Sequence, residues 1–217
     1  VDRANRGRRE PAEAAGGDSR AGSGGAAATA GGASAPRPDE RLAALRAADA
    51  AGEPVKVVLF WSHRPEKDGS TGRGCFSQWW PAPITVDGVT YPTAEHWMMA
   101  GKARLFGDDE GLRAVLDAAS PGAAKAAGAA VRGFDEDTWA RERYGIVLAG
   151  TLAKFRQHPG PAGVLRRTGD QVLAEASPVD RVWGIGRAAG DPDAERPSRW
   201  LGLNLLGFAL MDARERL

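Results

Sequence analysis

At 217 residues the chain is long enough for one sizeable domain or two small ones. Its 29 Lys plus Arg stand against 28 Asp plus Glu, a formal net charge of +1. That balance excludes the strongly basic surface of a general nucleic-acid binder and leaves room for a local patch only. The single cysteine, Cys75, excludes an internal disulfide and any multi-cysteine zinc site, and its plainest reading is a buried small residue.

The composition suits a reducing compartment, so a cytoplasmic location is expected. No run of about 18 apolar residues is present to span a bilayer, and no charged-then-apolar start resembles a signal peptide. Because the sequence begins at Val1 rather than Met, its natural start is expected to lie further upstream.

From Val1 to Ala51 the chain is dominated by Ala, Gly, Arg and Pro, with almost no large apolar side chain before Leu42. Such a stretch buries too little apolar surface to offset the entropy of ordering its backbone, so residues 1–51 are expected to be a disordered tail. All seven Trp, all six Phe and both Tyr fall later, and residues 55–217 are expected to form one domain.

Val55–Trp61 is β-branched and aromatic between Pro54 and Pro65, which predicts a buried strand. The polar, glycine-bearing run Ser62–Gly74 then reads as a loop over a pocket. Asp87-Gly88 between Ile84-Thr85-Val86 and Val89-Thr90-Tyr91 is a strong hairpin signal, because both turn positions need positive φ. Thr93 next offers a helix cap, with Glu95 in the first turn where the helix dipole favours a carboxylate, so a helix is expected over Ala94–Leu105.

Further helices are expected over Asp109–Ala118, Pro121–Ala130, Asp135–Gln157 and Pro161–Arg167, and a short strand over Gln171–Ala176. A last helix is expected over Arg199–Arg216, with Leu201, Leu205, Ala209 and Ala213 on its core face and Asn204 within its first turns. The sum is an α+β, mainly helical single domain with a few short strands.

Glu95 and Lys102 are seven residues apart on the helix that Thr93 opens, so they lie about 20° apart around its axis and roughly 10 Å along it. A carboxylate and an amine on one wall suit acid–base work beside nucleophilic attack. From spacing alone, two ordinary solvated helix residues remain the commoner explanation.

The three histidines, His63, His96 and His158, have no ligand spacing to one another, and the zinc deaminase pattern fails, so no metal is expected. His96 reads as a hydrogen-bonded core residue. Gly184-Ile185-Gly186-Arg187-Ala188-Ala189 matches a dinucleotide fingerprint formally, but no room follows it for a βαβ unit, and that reading is rejected. Its glycines allow close backbone approach to a ligand, and Trp183 offers a stacking face; a turn with a buried Trp explains the segment equally well. Trp61, Phe76, Trp79, Trp80 and Trp97 crowd near loops, where some could form a base-stacking wall and most would serve the core. Asn204 would need hydrogen-bond partners if buried, and a ligand is one option.

Taken in order, several segments resemble the NADAR family, also called YbiA-like. They are Phe60-Trp61-Ser62, Cys75-Phe76-Ser77-Gln78-Trp79, the run Val86 to Trp97, Gly101-Lys102-Ala103, Leu152-Ala153-Lys154-Phe155, Asp180 to Gly186 and Gly202 to Met211. The likeness covers about Val57 to Leu217.

It implies an α+β, mainly helical fold and N-glycosidase activity. With the Cys and His spacing already against a metal, that activity is expected to be metal-independent and to use no cofactor. The resemblance also implies a small nucleotide-like substrate: either a ribosylamino-pyrimidine phosphate of riboflavin biosynthesis, or ADP-ribose on guanine in a nucleoside or nucleic acid. By the same resemblance Glu95 and Lys102 are catalytic. The segments holding Trp61, Phe76, Ser77, Gln78, Trp79, Asp180, Trp183, Gly184, Ile185, Gly186 and Asn204 form the substrate-binding site. Many members carry Asn where this chain has Gln78, and that longer amide bears on substrate choice. A nucleotide-binding module without catalysis is the alternative.

Overall fold

A computed structural model describes residues 37–217. Among the described residues there are seven α-helices: α1 (Pro38–Ala50), α2 (Ala94–Leu105), α3 (Asp109–Leu116), α4 (Pro121–Ala129), α5 (Glu136–Gln157), α6 (Pro159–Arg166) and α7 (Leu205–Glu215). Four short strands accompany them: β1 (Val57–Phe60), β2 (Ile84–Val86), β3 (Val89–Tyr91) and β4 (Val172–Glu175). This is the mainly helical α+β architecture expected from the sequence.

The β2–β3 hairpin turns at Asp87 and Gly88, with φ of 50° and 78°. β1 and β4 form a separate parallel pair in the register Val57 with Val172 through Phe60 with Glu175. Because the pair is parallel, both strands end at the same edge, where the chain leaves β1 as Trp61 and β4 as Ala176. Open parallel sheets bind ligands at the carboxyl ends of their strands.

Helix α2 runs over the residues expected. Thr93 has extended backbone and its hydroxyl accepts from the His96 N–H at 3.5 Å. His96 itself is buried; its Nδ1 meets the Thr93 hydroxyl at 2.8 Å and its Nε2 the Ala118 carbonyl at 3.1 Å. A carbonyl can only accept, so Nε2 carries the proton and Nδ1 accepts from Thr93. Cys75 is fully buried, and burial pushes its thiol up to about 11.

Helix α2 is the hub against which α4 and α5 pack, and glycines set how closely they approach. A Cβ on Gly128 of α4 would lie 2.0 Å from the Met99 sulfur, and one on Gly150 of α5 would lie 2.2 Å from Trp97. The Trp97 indole seals the second contact by donating to the Ile146 carbonyl at 2.8 Å.

Two expectations are corrected. Residues 38–50 of the supposed tail form α1; the rest of that stretch up to residue 36 lies outside the described residues. Composition misled because α1 is held by few apolar groups and several polar ones. Leu42 is buried, Arg46 donates to the Trp200 carbonyl at 2.9 Å, and Asp49 accepts from the Ser198 N–H at 2.9 Å. Arg41 also pairs with Asp212 of α7 at 2.9 Å, and Tyr144 of α5 donates to the same carboxylate at 2.7 Å.

The second correction concerns the last helix, which starts at Leu205 rather than Arg199. Pro197–Arg199 is a 3₁₀ turn, and Leu201 is 51% exposed rather than packed on the core. Asn204, in the left-handed region at φ 55°, stands just before α7 instead of lying within it, and its side chain makes no capping bond to the helix.

Candidate active site

Two adjoining cavities open where α2, α4 and α5 meet the carboxyl end of the parallel strands. One, of about 410 Å³, includes Ser77, Gln78, Trp79, Glu95, Lys102, Asp180 and Trp183 in its lining. The other, of about 480 Å³, lies beside Trp61 and the loop that follows it. Ser77, Trp79, Lys125, Glu175 and Asp180 line both, so they form the wall between them.

The Ser77–Trp79 segment is held through its carbonyls. The buried Lys154 ammonium group donates to the Ser77 carbonyl at 2.8 Å, and the Glu95 N–H donates to the Gln78 carbonyl at 3.0 Å. Burial lowers Lys154 to about 7, so this clamp carries a charge that is cheaply lost. The second bond ties the loop to the first turn of α2, directly at Glu95.

Glu95 is only 4% exposed, and its Oε1 is buried with no hydrogen-bond partner. Burial pushes its carboxyl up to about 7, with Asp180 adding to the rise and Lys125 and the Trp79 side chain opposing it. A carboxyl poised there can hold or release a proton near neutral pH.

Lys102 faces the same cavity one helical stretch further on. Its amine donates to the Gly128 carbonyl at 2.9 Å and sits 4.1 Å from the Phe134 ring centroid and 5.9 Å from that of Trp139. Burial lowers its pKa, with Glu136 opposing. Gly128 makes the carbonyl contact reachable, since its missing side chain is what lets α4 approach α2.

The structure thus brings Glu95, Lys102, Trp61, Ser77, Gln78, Trp79, Asp180 and Trp183 to the two cavities. It does not bring Phe76, Gly184, Ile185, Gly186 or Asn204 there. Phe76 is core, edge-on to Phe60 at 5.5 Å between centroids. The Gly184–Gly186 segment is buried scaffolding: the Ile185 N–H donates to the Glu175 carbonyl at 2.9 Å, and a Cβ on Gly184 would lie 2.8 Å from that same oxygen.

Asn204 is fully buried and bridges the strand rather than a ligand. Its Oδ1 accepts from the Glu175 N–H at 3.1 Å and its Nδ2 donates to the Leu173 carbonyl at 2.9 Å.

Residue reading missed Lys125, Glu136, Arg143 and Glu175, all of which line the first cavity. Glu175 had a usable signal, since it ends a strand whose carboxyl edge is a preferred place for ligands. Glu136 and Arg143 come from α5, whose exposed face carries many charges, and nothing in their spacing marks them out. Lys125 is the one charged residue of the Ala- and Gly-rich α4, and that contrast was its usable signal. Among the described residues, no group of three or more His, Cys, Asp or Glu is placed to hold a metal ion. No helix among them is long and apolar enough to cross a membrane.

The geometry can be set beside known proteins. An N-glycosidase of Acanthamoeba polyphaga mimivirus is 36% identical over 168 residues, covering 75% of this chain and 97% of its own. The N-glycosidase YbiA of Escherichia coli is 31% identical over 144 residues, covering 66% and 81%. The NMR structure of E. coli YbiA aligns with a TM-score of 0.59 at 28% identity, over 74% of this chain and 84% of that one. The sequence profile of the NADAR domain matches residues 59–217. The chain therefore belongs to the NADAR domain family.

Proposed function

We propose that this chain is an N-glycosidase that hydrolyses the bond between a ribosyl carbon and the nitrogen of a nucleotide-like substrate. The observation that carries this reading is a buried carboxyl with an unpartnered oxygen, Glu95, and a lysine amine lowered by burial, Lys102, facing one cavity. Relatives named N-glycosidases support it. The substrate is ADP-ribosylated guanine, in a nucleoside or a nucleic acid, or a ribosylamino-pyrimidine phosphate.

Cleavage leaves positive charge on the anomeric carbon, so the site must stabilise that charge and supply a nucleophile. Glu95 supplies the negative charge. The Lys102 amine attacks the anomeric carbon while the carbon–nitrogen bond breaks with its electron pair. The sugar ring then opens to leave a Schiff base. The two amine hydrogens end on the departing nitrogen and the ring oxygen, and water resolves the imine to free sugar and lysine. Burial favours the neutral amine that this needs. The chemistry assigned here uses no metal, and it suits a cytoplasmic enzyme.

Incubating the protein separately with ADP-ribosylated guanosine and with the ribosylamino-pyrimidine phosphate tests the reading. Release of free base from either one is expected. Saturable binding of both with no product would overturn the enzyme in favour of a binding module.

A further inference from the structure

The wall between the two cavities holds a second carboxyl that the mechanism above does not use. Glu175 is the last residue of β4, and its backbone is fixed on both sides. Its N–H is held by Asn204, and its carbonyl accepts from the N–H groups of Ser177 and Ile185, both at 2.9 Å. Its side chain lines both cavities, and its Oε2 is buried with no hydrogen-bond partner.

Three carboxyls from this wall and from α2 face the first cavity, and their bonding separates them. Asp180 is committed: its Oδ1 accepts from the N–H groups of Val182 at 2.8 Å and Trp183 at 2.7 Å. That holds it in place as an acceptor. Glu95 and Glu175 each keep one buried oxygen without a partner, so each has an atom from which a proton can pass.

We propose that Glu175 is the catalytic acid that protonates the departing nitrogen, while Glu95 takes the proton released by the attacking nucleophile. The proposal rests on the N-glycosidase reading. As the carbon–nitrogen bond breaks, its electron pair goes to the nitrogen and the Glu175 proton follows it. As the new bond to the anomeric carbon forms, the nucleophile's proton goes to Glu95.

The pair therefore starts and ends with one proton, moved from one carboxyl to the other, and its net charge is constant. Because the unpartnered oxygens of both are buried, this avoids the cost of burying a second negative charge there. A proton returning from Glu95 to Glu175 resets the site.

The surroundings agree. Burial, then Asp180 and Glu95, push Glu175 up to about 8, with Lys125 opposing, so it is the more heavily protonated of the two near neutral pH. Lys102 on α2, Lys125 on α4 and the pair Arg143 and Glu136 on α5 also face the first cavity; the last two are 3.5 Å apart. His63 and Arg64 face the second.

The test uses Glu175→Gln, which keeps the shape of the side chain and every backbone bond, and Glu95→Gln. On the substrate that wild type cleaves, Glu175→Gln should lower kcat by about 100-fold or more and leave KM within about threefold. The alkaline limb of the pH profile should vanish in Glu175→Gln, whereas in Glu95→Gln the acidic limb should keep only the ionisation of the Lys102 amine. In the free protein, carbon-13 NMR of labelled glutamate should show the Glu175 midpoint falling when Glu95 becomes Gln, because a like charge has gone.

A Glu175→Gln enzyme that keeps most of its kcat, or that keeps the alkaline limb, overturns the acid role and leaves the N-glycosidase reading standing. A wild-type protein that releases base from neither substrate overturns both, whatever the titration gives.

Discussion

Replacing Asn204 by alanine should cost the protein far more stability than its size suggests, and should damage the site only indirectly. The side chain is fully buried and makes two hydrogen bonds to the backbone of β4, at Glu175 and Leu173. Removing it leaves one buried donor and one buried acceptor unpaired, at roughly 1–3 kcal/mol each. The backbone at φ 55° adds about 1 kcal/mol, since alanine tolerates the left-handed region less well than asparagine.

The sum is about 3–7 kcal/mol, a large part of the roughly 5–15 kcal/mol that holds a typical domain together. Urea unfolding of wild type and Asn204→Ala, compared at equal m-values, measures it. Asn204→Asp keeps the acceptor for Glu175 but sets a carboxylate oxygen against the Leu173 carbonyl oxygen, so it should be strongly destabilised at neutral pH and recover as acid protonates it. In Asn204→Ala, kcat should drop as the Glu175 backbone loosens. An alanine variant that is as stable as wild type and raises only KM would refute this, and would return Asn204 to the ligand contact that the sequence suggested.

Other outcomes follow from the same structure. Glu95 and Glu175 have folded pKa values raised above their unfolded values near 4.5, so the folded state holds more protons than the unfolded one between there and about 8. Their burial penalty grows as pH rises through that window. The stability difference between wild type and the double glutamine variant should therefore widen from pH 5 to pH 8, by up to a few kcal/mol; a constant difference contradicts the assignment. Gly128→Ala places a Cβ 2.0 Å from the Met99 sulfur, so α4 must move from α2 unless Met99 yields. It should cost about 1–3 kcal/mol and weaken the Lys102 contact, read as a lower melting temperature together with a lower kcat. Asp212→Asn should cost about 3–5 kcal/mol by leaving Arg41 unpaired near Tyr144, and Arg41→Met with Asp212→Leu should restore much of that loss.

What the sequence disclosed depended on how local the signal was. The cap at Thr93, the turn at Asp87-Gly88 and the termination of α5 before Pro159 are written in adjacent residues, and all three stand where expected. Glu95 and Lys102 share a cavity because helical spacing is also a local rule.

The misses involve partners far apart in the chain. α1 was hidden because Arg41, Arg46 and Asp49 find theirs at Asp212, Trp200 and Ser198. Asn204 looked like a helix residue among leucines, and only the fold shows it pinning β4. Glu175 was counted within a strand, and its meaning appeared once the parallel pairing carried that strand's end to Trp79 and Asp180.

The most direct test of the central claim is to add borohydride during turnover and map the protein by mass spectrometry. The account predicts one sugar adduct, reduced onto Lys102, formed only with substrate present and absent from Lys102→Ala, which should release little or no base. No adduct during turnover, together with full activity in Lys102→Ala, would contradict it.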